Sequence, residues 1–122
     1  MAKILIADDS PALREMVREM LGALGHEVVD AANGSEALQR LQESRPDLIL
    51  LDLQMPALDG VTTLQHIRRD PRFARLPVIA LTALAMTGDR QQALDAGFDD
   101  YLSKPVSMAQ LSKYVERHLN LR

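Results

Sequence analysis

Three apolar runs in this sequence stop abruptly on charge, and a fourth stops on a hydroxyl. Ile4-Leu5-Ile6-Ala7 runs into Asp8-Asp9, and Leu48-Ile49-Leu50-Leu51 runs into Asp52. Tyr101-Leu102 runs through Ser103 into Lys104-Pro105, and Val78-Ile79-Ala80-Leu81 ends at Thr82. Short apolar runs rich in branched side chains, closed by turn residues, read as buried parallel strands. Helix-like patterns separate them, so they form βα units whose strands all point one way. Parallel strands bring their C-terminal ends to one edge of the sheet, where open α/β sheets carry their sites. The pattern therefore gathers three carboxylates, a hydroxyl and an ammonium at one edge.

The intervening segments fit this frame. Strand one is residues 3–7. Ser10-Pro11 reads as an N-cap followed by a proline in the first turn of a helix that reaches about Leu24. Glu27 to Ala31 is strand two. Asn33-Gly34-Ser35-Glu36 resembles a cap with a glutamate three residues on. Strand three runs from about Asp47 to Leu51, and residues 54–60 form a turn-rich loop. A third helix ends near Asp70, where Pro71 stops it. Strand four is about Pro77 to Leu81. The fourth helix spans roughly Thr87 to Ala96, with Gly97 after its end. Strand five is about Asp99 to Leu102, and the last helix begins at Ser107. Five strands alternating with five helices under right-handed crossovers predict a doubly wound parallel sheet. The expected strand order is 2-1-3-4-5, the flavodoxin-like (βα)5 arrangement, with its crevice between strands one and three.

Length and charge narrow the function. The 122 residues fit one domain, and 47% hydrophobic residues supply a core. A net charge of −3 gives no electrostatic footprint for nucleic acid. With no cysteine there is no disulfide framework and no thiolate metal site. No apolar run approaches the ~20 residues of a membrane helix, and Asp8-Asp9 breaks any leader-like stretch. A cytoplasmic protein is the expectation.

Clustered carboxylates repel by about 4 kcal/mol per close pair at an effective dielectric near 20. A hard divalent cation with oxygen ligands compensates, and Mg²⁺ suits such a site. Mg²⁺, a lysine and a hydroxyl together match what a phosphoryl group needs. A carboxylate can also be the nucleophile, giving an aspartyl phosphate.

Asp8-Asp9, Asp52 followed by Met55-Pro56 and Asp59-Gly60, Thr82-Ala83, and Lys104-Pro105 together resemble the CheY-like receiver domain of two-component response regulators. The resemblance spans nearly the whole sequence, in the family's order and spacing. The segments 85–90 and 96–101 resemble both stand-alone receivers and those of hybrid histidine kinases. The resemblance implies that Asp52 accepts a phosphoryl group from a histidine kinase or a histidine phosphotransfer protein. It implies that Asp9, Asp52 and the backbone carbonyl of Gln54 bind Mg²⁺, with Asp8 acting through a water. Lys104 would contact the phosphoryl group, the Lys104–Pro105 peptide would be cis, Thr82 would move toward the phosphoryl group, and Tyr101 would follow. Output would appear on the face of helix four, strand five and helix five, toward a downstream protein target, with no direct nucleic-acid or membrane role. The switch would catalyse only its own phosphorylation and dephosphorylation. Arg122 falls just past the last helix, so residues 1–122 are expected to be a single receiver with no effector domain. Gln54 and Leu84 take the variable positions that neighbour the phosphoryl group in the family, and an apolar Leu84 implies slow hydrolysis.

Other readings weigh less. A haloacid-dehalogenase-like phosphatase needs a second aspartate two residues after the nucleophile, where Gln54 stands. An FMN-binding flavodoxin-like protein lacks its phosphate loop, because two acids follow strand one. A receiver-like scaffold that is never phosphorylated would not need the complete set. Asp99-Asp100 precede strand five, at the opposite sheet edge, and read as turn residues. His26, His66 and His118 have no ligand spacing and read as solvated or packing residues. Met16 and Met20 read as core or edge filler. Leu84 and Met86 read equally as core or as a soft partner surface.

Overall fold

A computed structural model describes residues 2–55, 58–83 and 89–119. In chain order its elements are β1 (Lys3–Ala7), α1 (Pro11–Ala23), β2 (Glu27–Ala31), α2 (Gly34–Ser44) and β3 (Leu48–Asp52). They continue with α3 (Gly60–Arg69), a 3₁₀ turn (Pro71–Phe73), β4 (Val78–Thr82), α4 (Asp89–Ala96), β5 (Asp100–Ser103) and α5 (Met108–Leu119). The strands form one parallel sheet in the order β2-β1-β3-β4-β5, as expected.

Strand alternation splits the core in two. Leu5, Ala7, Ile49, Leu51, Val78, Ala80 and Tyr101 face α2, α3 and α4, meeting Leu41, Leu64, Ile67 and Ala93. Ile4, Ile6, Leu48, Leu50, Ile79, Leu81 and Leu102 face α1 and α5, meeting Val17, Leu21, Leu111 and Val115. β3 and β4 are buried along their whole length, because both faces are covered by helices. Each buried Leu or Ile contributes about 1.5–3 kcal/mol, so these two layers hold the sheet edge in place.

Helix starts follow the local chemistry. Ser10 Oγ accepts the Leu13 N–H at 3.2 Å, and Asn33 Oδ1 accepts the Glu36 N–H at 2.8 Å. Asp59 Oδ1 accepts the Thr62 N–H at 2.8 Å, and Ser107 Oγ accepts the Gln110 N–H at 3.1 Å. Glu36 reaches back one residue further than a capping box, to the Ala32 N–H at 3.3 Å.

β3, β4 and β5 each run one residue later than their sequences predict. The ladder itself is the reason: Asp52 pairs with Leu81, and Thr82 pairs with Ser103. Asp52 and Thr82 are therefore strand residues, held by sheet hydrogen bonding rather than hung on loops. The expected start of the fourth helix at Thr87 lies outside the described residues, as do Pro56, Ala57, Leu84 and Met86. Among the described residues, no helix is long and apolar enough to cross a membrane.

Candidate functional site

β1, β3, β4 and β5 deliver Asp8, Asp52, Thr82 and Lys104 to one edge of the sheet. Asp8 follows the last residue of β1, and its N–H donates to Ala31 O at 3.1 Å, which extends the ladder past β1. Lys104 follows β5, and its N–H donates to Thr82 O at 2.7 Å. The Lys104–Pro105 peptide is cis.

Both inner carboxylates are held in the same way. Asp8 Oδ1 accepts the Ser10 N–H at 2.8 Å, and Asp52 Oδ1 accepts the Gln54 N–H at 3.1 Å. This leaves each Oδ2 facing the Lys104 ammonium, at 2.6 Å from Asp8 and 3.4 Å from Asp52. Asp8 is fully buried, Asp52 nearly so, and Asp9 is exposed. One carboxylate oxygen from each lies within 4.8 Å of the others. At that spacing each pair repels by roughly 3–4 kcal/mol at an effective dielectric near 20. A single lysine does not neutralise three acids.

The strain appears in the protonation equilibria. Burial pushes the Asp52 carboxyl above its ordinary value; the Gln54 N–H opposes this, the Asp8 charge adds to it, and Lys104 opposes it. Burial works to lower the Lys104 ammonium, but the adjacent Asp8 and Asp52 carboxylates outweigh it and hold the group above its ordinary value. Asp8 Oδ2 is buried, and its close partner is the Lys104 ammonium at 2.6 Å, which Asp52 shares. Three carboxylate oxygens within 4.8 Å of one another, with one ammonium shared by Asp8 and Asp52, are a donor set for a hard cation. The residues present therefore fit Mg²⁺.

Thr82 is buried at the end of β4, and Tyr101 is buried in the α4-side cluster with Ala80, Ala93 and Phe98. The sheet thus places the predicted hydroxyl at the site edge and the predicted aromatic one strand away, on the α4 face.

The site also depends on a glycine to which the sequence motif gives no role. Gly60 opens α3 directly behind Asp52, and its N–H donates to Leu53 O at 3.1 Å. A Cβ at Gly60 would run into the Asp52 carbonyl oxygen and lie 2.8 Å from Leu53 Cα. Only glycine lets α3 approach the strand end this closely. The Asp-Gly pair was the available signal, and it marks a close approach as well as a cap.

The second acid pair divides. Asp99 is a turn residue as expected: its Oδ2 accepts the Val78 N–H at 2.8 Å and the Arg68 guanidinium at 2.9 Å. Asp100 requires a correction. It is the first residue of β5, almost fully buried, and meets Arg117 at 3.2 Å and His118 at 2.9 Å. The strand start turns its side chain inward, and α5 supplies the compensating groups. His118 is accordingly neither solvated nor simply packed.

The response regulator receiver domain model matches residues 4–116. The chain belongs to that family. The DNA-binding dual master transcriptional regulator RpaA of Synechocystis sp. is 42% identical to this receiver over 111 residues, which are 91% of the chain and 46% of RpaA. The chain thus spans about half of that relative. The polar-differentiation response regulator DivK of Brucella anthropi is 34% identical over 116 residues, covering 95% of this receiver and 94% of DivK. Among solved structures, the receiver domain of sensor histidine kinase PA1611 from Pseudomonas aeruginosa PAO1 matches with a TM-score of 0.89. It is 38% identical, with 98% of each chain covered, and holds a magnesium ion coordinated in its active-site cleft. The receiver is a signalling module of two-component systems, and Asp8, Asp9 and Asp52 form a cluster that could hold a metal ion.

Proposed function

We propose that Asp52 is the phosphoryl acceptor of this receiver and that its phosphorylation switches a downstream protein. The observation that carries this reading is the contact of one ammonium, Lys104, with two buried carboxylates of a three-acid cluster. Asp52 Oδ1 is tied to the backbone, and Oδ2, which faces the Lys104 ammonium at 3.4 Å, is the nucleophilic oxygen. In the transfer, an Asp52 oxygen attacks the phosphorus of a phosphohistidine on a kinase or phosphotransfer protein. The P–N bond breaks, its electron pair stays on the imidazole, and an acyl phosphate forms.

Asp9, Asp52 and the Gln54 carbonyl would hold Mg²⁺, with Asp8 acting through a water. The ion would supply charge neutralisation to the phosphoryl oxygens. Lys104, released from its double ion pair, turns to a phosphoryl oxygen. Thr82 donates its hydroxyl to another, and Tyr101 repacks beside α4. The phosphoryl group favours the rearranged state by its differential contacts in the two conformers. The α4, β5 and α5 face then presents a different surface to its target. Water attack on phosphorus releases inorganic phosphate and resets Asp52. The apolar Leu84 cannot orient that water, so the phosphoryl state is long-lived, and Leu84→Ser should shorten it markedly. A kinase-fed switch of this kind works in the cytoplasm.

Incubation with Mg²⁺ and acetyl phosphate, followed by intact mass, tests the reading. The expected result is a gain of one phosphoryl group that is base-labile and absent in Asp52→Asn. No gain with any small phosphodonor would overturn it.

A further inference from the structure

At the sheet edge away from Asp52, a cavity of about 470 Å³ opens between the α2–β3 turn and the segment joining α3 to β4. Pro46, Phe73 and Leu76 give it an apolar lining, with Pro46 and Phe73 buried. Arg45 and Arg75 line it as well. Both are exposed, and neither guanidinium has a hydrogen bond or ion pair among the described residues. Arg72 is already committed, paired with Asp70 at 2.6 Å and lying over the Phe73 ring at 5.1 Å.

The walls are fixed from beneath. Arg68 donates to Phe73 O at 3.2 Å and to Leu76 O at 2.7 Å, while its other nitrogen binds Asp99 at 2.9 Å. Asp70 Oδ1 accepts the Arg72 N–H at 3.0 Å. Arg45 stands in the left-handed region, φ 48°, with its N–H on Leu41 O at 3.1 Å. That conformation is uncommon for any residue but glycine or asparagine. Two free cations on a rigid rim are notable in a chain whose formal charge is −3.

We propose that this cavity docks an acidic segment of a partner protein, one with an apolar side chain beside at least two carboxylates. Guanidinium groups pair with carboxylates in a fork geometry, and Arg45 and Arg75 come from two different segments, which rewards two separated anionic groups. The apolar lining offers nothing to an inorganic anion but accepts a side chain. Preformed walls reduce the ordering cost of binding. Strands of five residues, roughly 15 Å long, separate the cavity from Asp52. A partner held here leaves the phosphorylation site uncovered, and the docking does not depend on Asp52 chemistry.

The test titrates the protein into a fluorescein-labelled hexapeptide of alternating glutamate and leucine and reads anisotropy. A glutamine–leucine hexapeptide and inorganic phosphate serve as comparison and competitor. Saturable binding should weaken at least tenfold in Arg45→Glu/Arg75→Glu, weaken with salt, and be unchanged in Lys113→Glu on α5. Amide NMR shifts should centre on residues 45–46 and 71–76. Should the double variant not fold, Arg75→Glu alone is read in the same way. No binding by the wild type, equal binding of the glutamine peptide, displacement by equimolar phosphate, or unchanged affinity in the arginine variants would each overturn the proposal.

Discussion

Asp52 ionises beside two other acids, and the metal-free fold bears the cost. Its carboxyl is held above its ordinary value, chiefly by burial. A folded-state value raised above the unfolded one stabilises the fold below the unfolded value near 3.9, and that contribution is lost as pH rises through the raised value. In EDTA, the stability difference between wild type and Asp52→Asn should therefore change across this window. Above it, Asp52→Asn should melt a few degrees higher than wild type, equivalent to about 1 kcal/mol. Thermal melts from pH 4 to 7 check this, and a variant that melts lower at pH 7 would contradict it. Much of this was legible in the sequence, because each acid directly follows an apolar run and the sheet does the rest. What was not legible was which oxygen each neighbour takes. The use of Oδ1 by the Ser10 and Gln54 N–H groups, with Oδ2 left to Lys104, depends on turn geometry that residue types do not specify.

At the scale of elements, two joints hold the site edge and the α5 side of the sheet. Gly60 presses α3 against the strand end that carries Asp52. Gly60→Ala should push β3 and α3 apart, costing about 1–3 kcal/mol as other overpacking changes do. It should also slow acetyl phosphate labelling, whereas Gly22→Ala, which meets nothing within 4 Å, should do neither. Urea unfolding and labelling rates measure both. The second joint is Asp100 with Arg117 and His118, binding α5 to β5 at the opposite sheet edge. Asp100→Asn removes the charge from two buried or half-buried contacts and should cost about 1.5–3 kcal/mol; a change under about 0.5 kcal/mol in urea unfolding would show that the network is idle. The sequence placed Asp99-Asp100 at the correct edge but assigned both to a turn. Two consecutive acids before an apolar pair do not show where a strand begins. The partners of Asp100 lie seventeen and eighteen residues away on a helix face.

Across the whole molecule, one sheet separates two chemistries. Its C-terminal edge concentrates unbalanced negative charge, while its N-terminal edge absorbs acids into structure, with Asp47 on the Lys3 N–H and Asp99 on the Val78 N–H. Strand order was readable from five strands alternating with five helices, because right-handed crossovers leave few topologies for that pattern. The arginine-lined cavity was not, because its walls come from a turn and a 3₁₀ segment that carry no periodicity. Since the acid cluster destabilises the metal-free fold, Mg²⁺ should raise the melting temperature of the wild type by mass action, and should do so far less in Asp9→Ala. Equal shifts in the two proteins would mean that the ion binds elsewhere.

The most direct measurement is the position of the acyl phosphate. Borohydride reduces an aspartyl phosphate to homoserine, so phosphorylated protein that is reduced, digested and sequenced by mass spectrometry reports the acceptor residue itself. The account predicts homoserine at position 52. Homoserine at position 8 or 9, or at none, would contradict it.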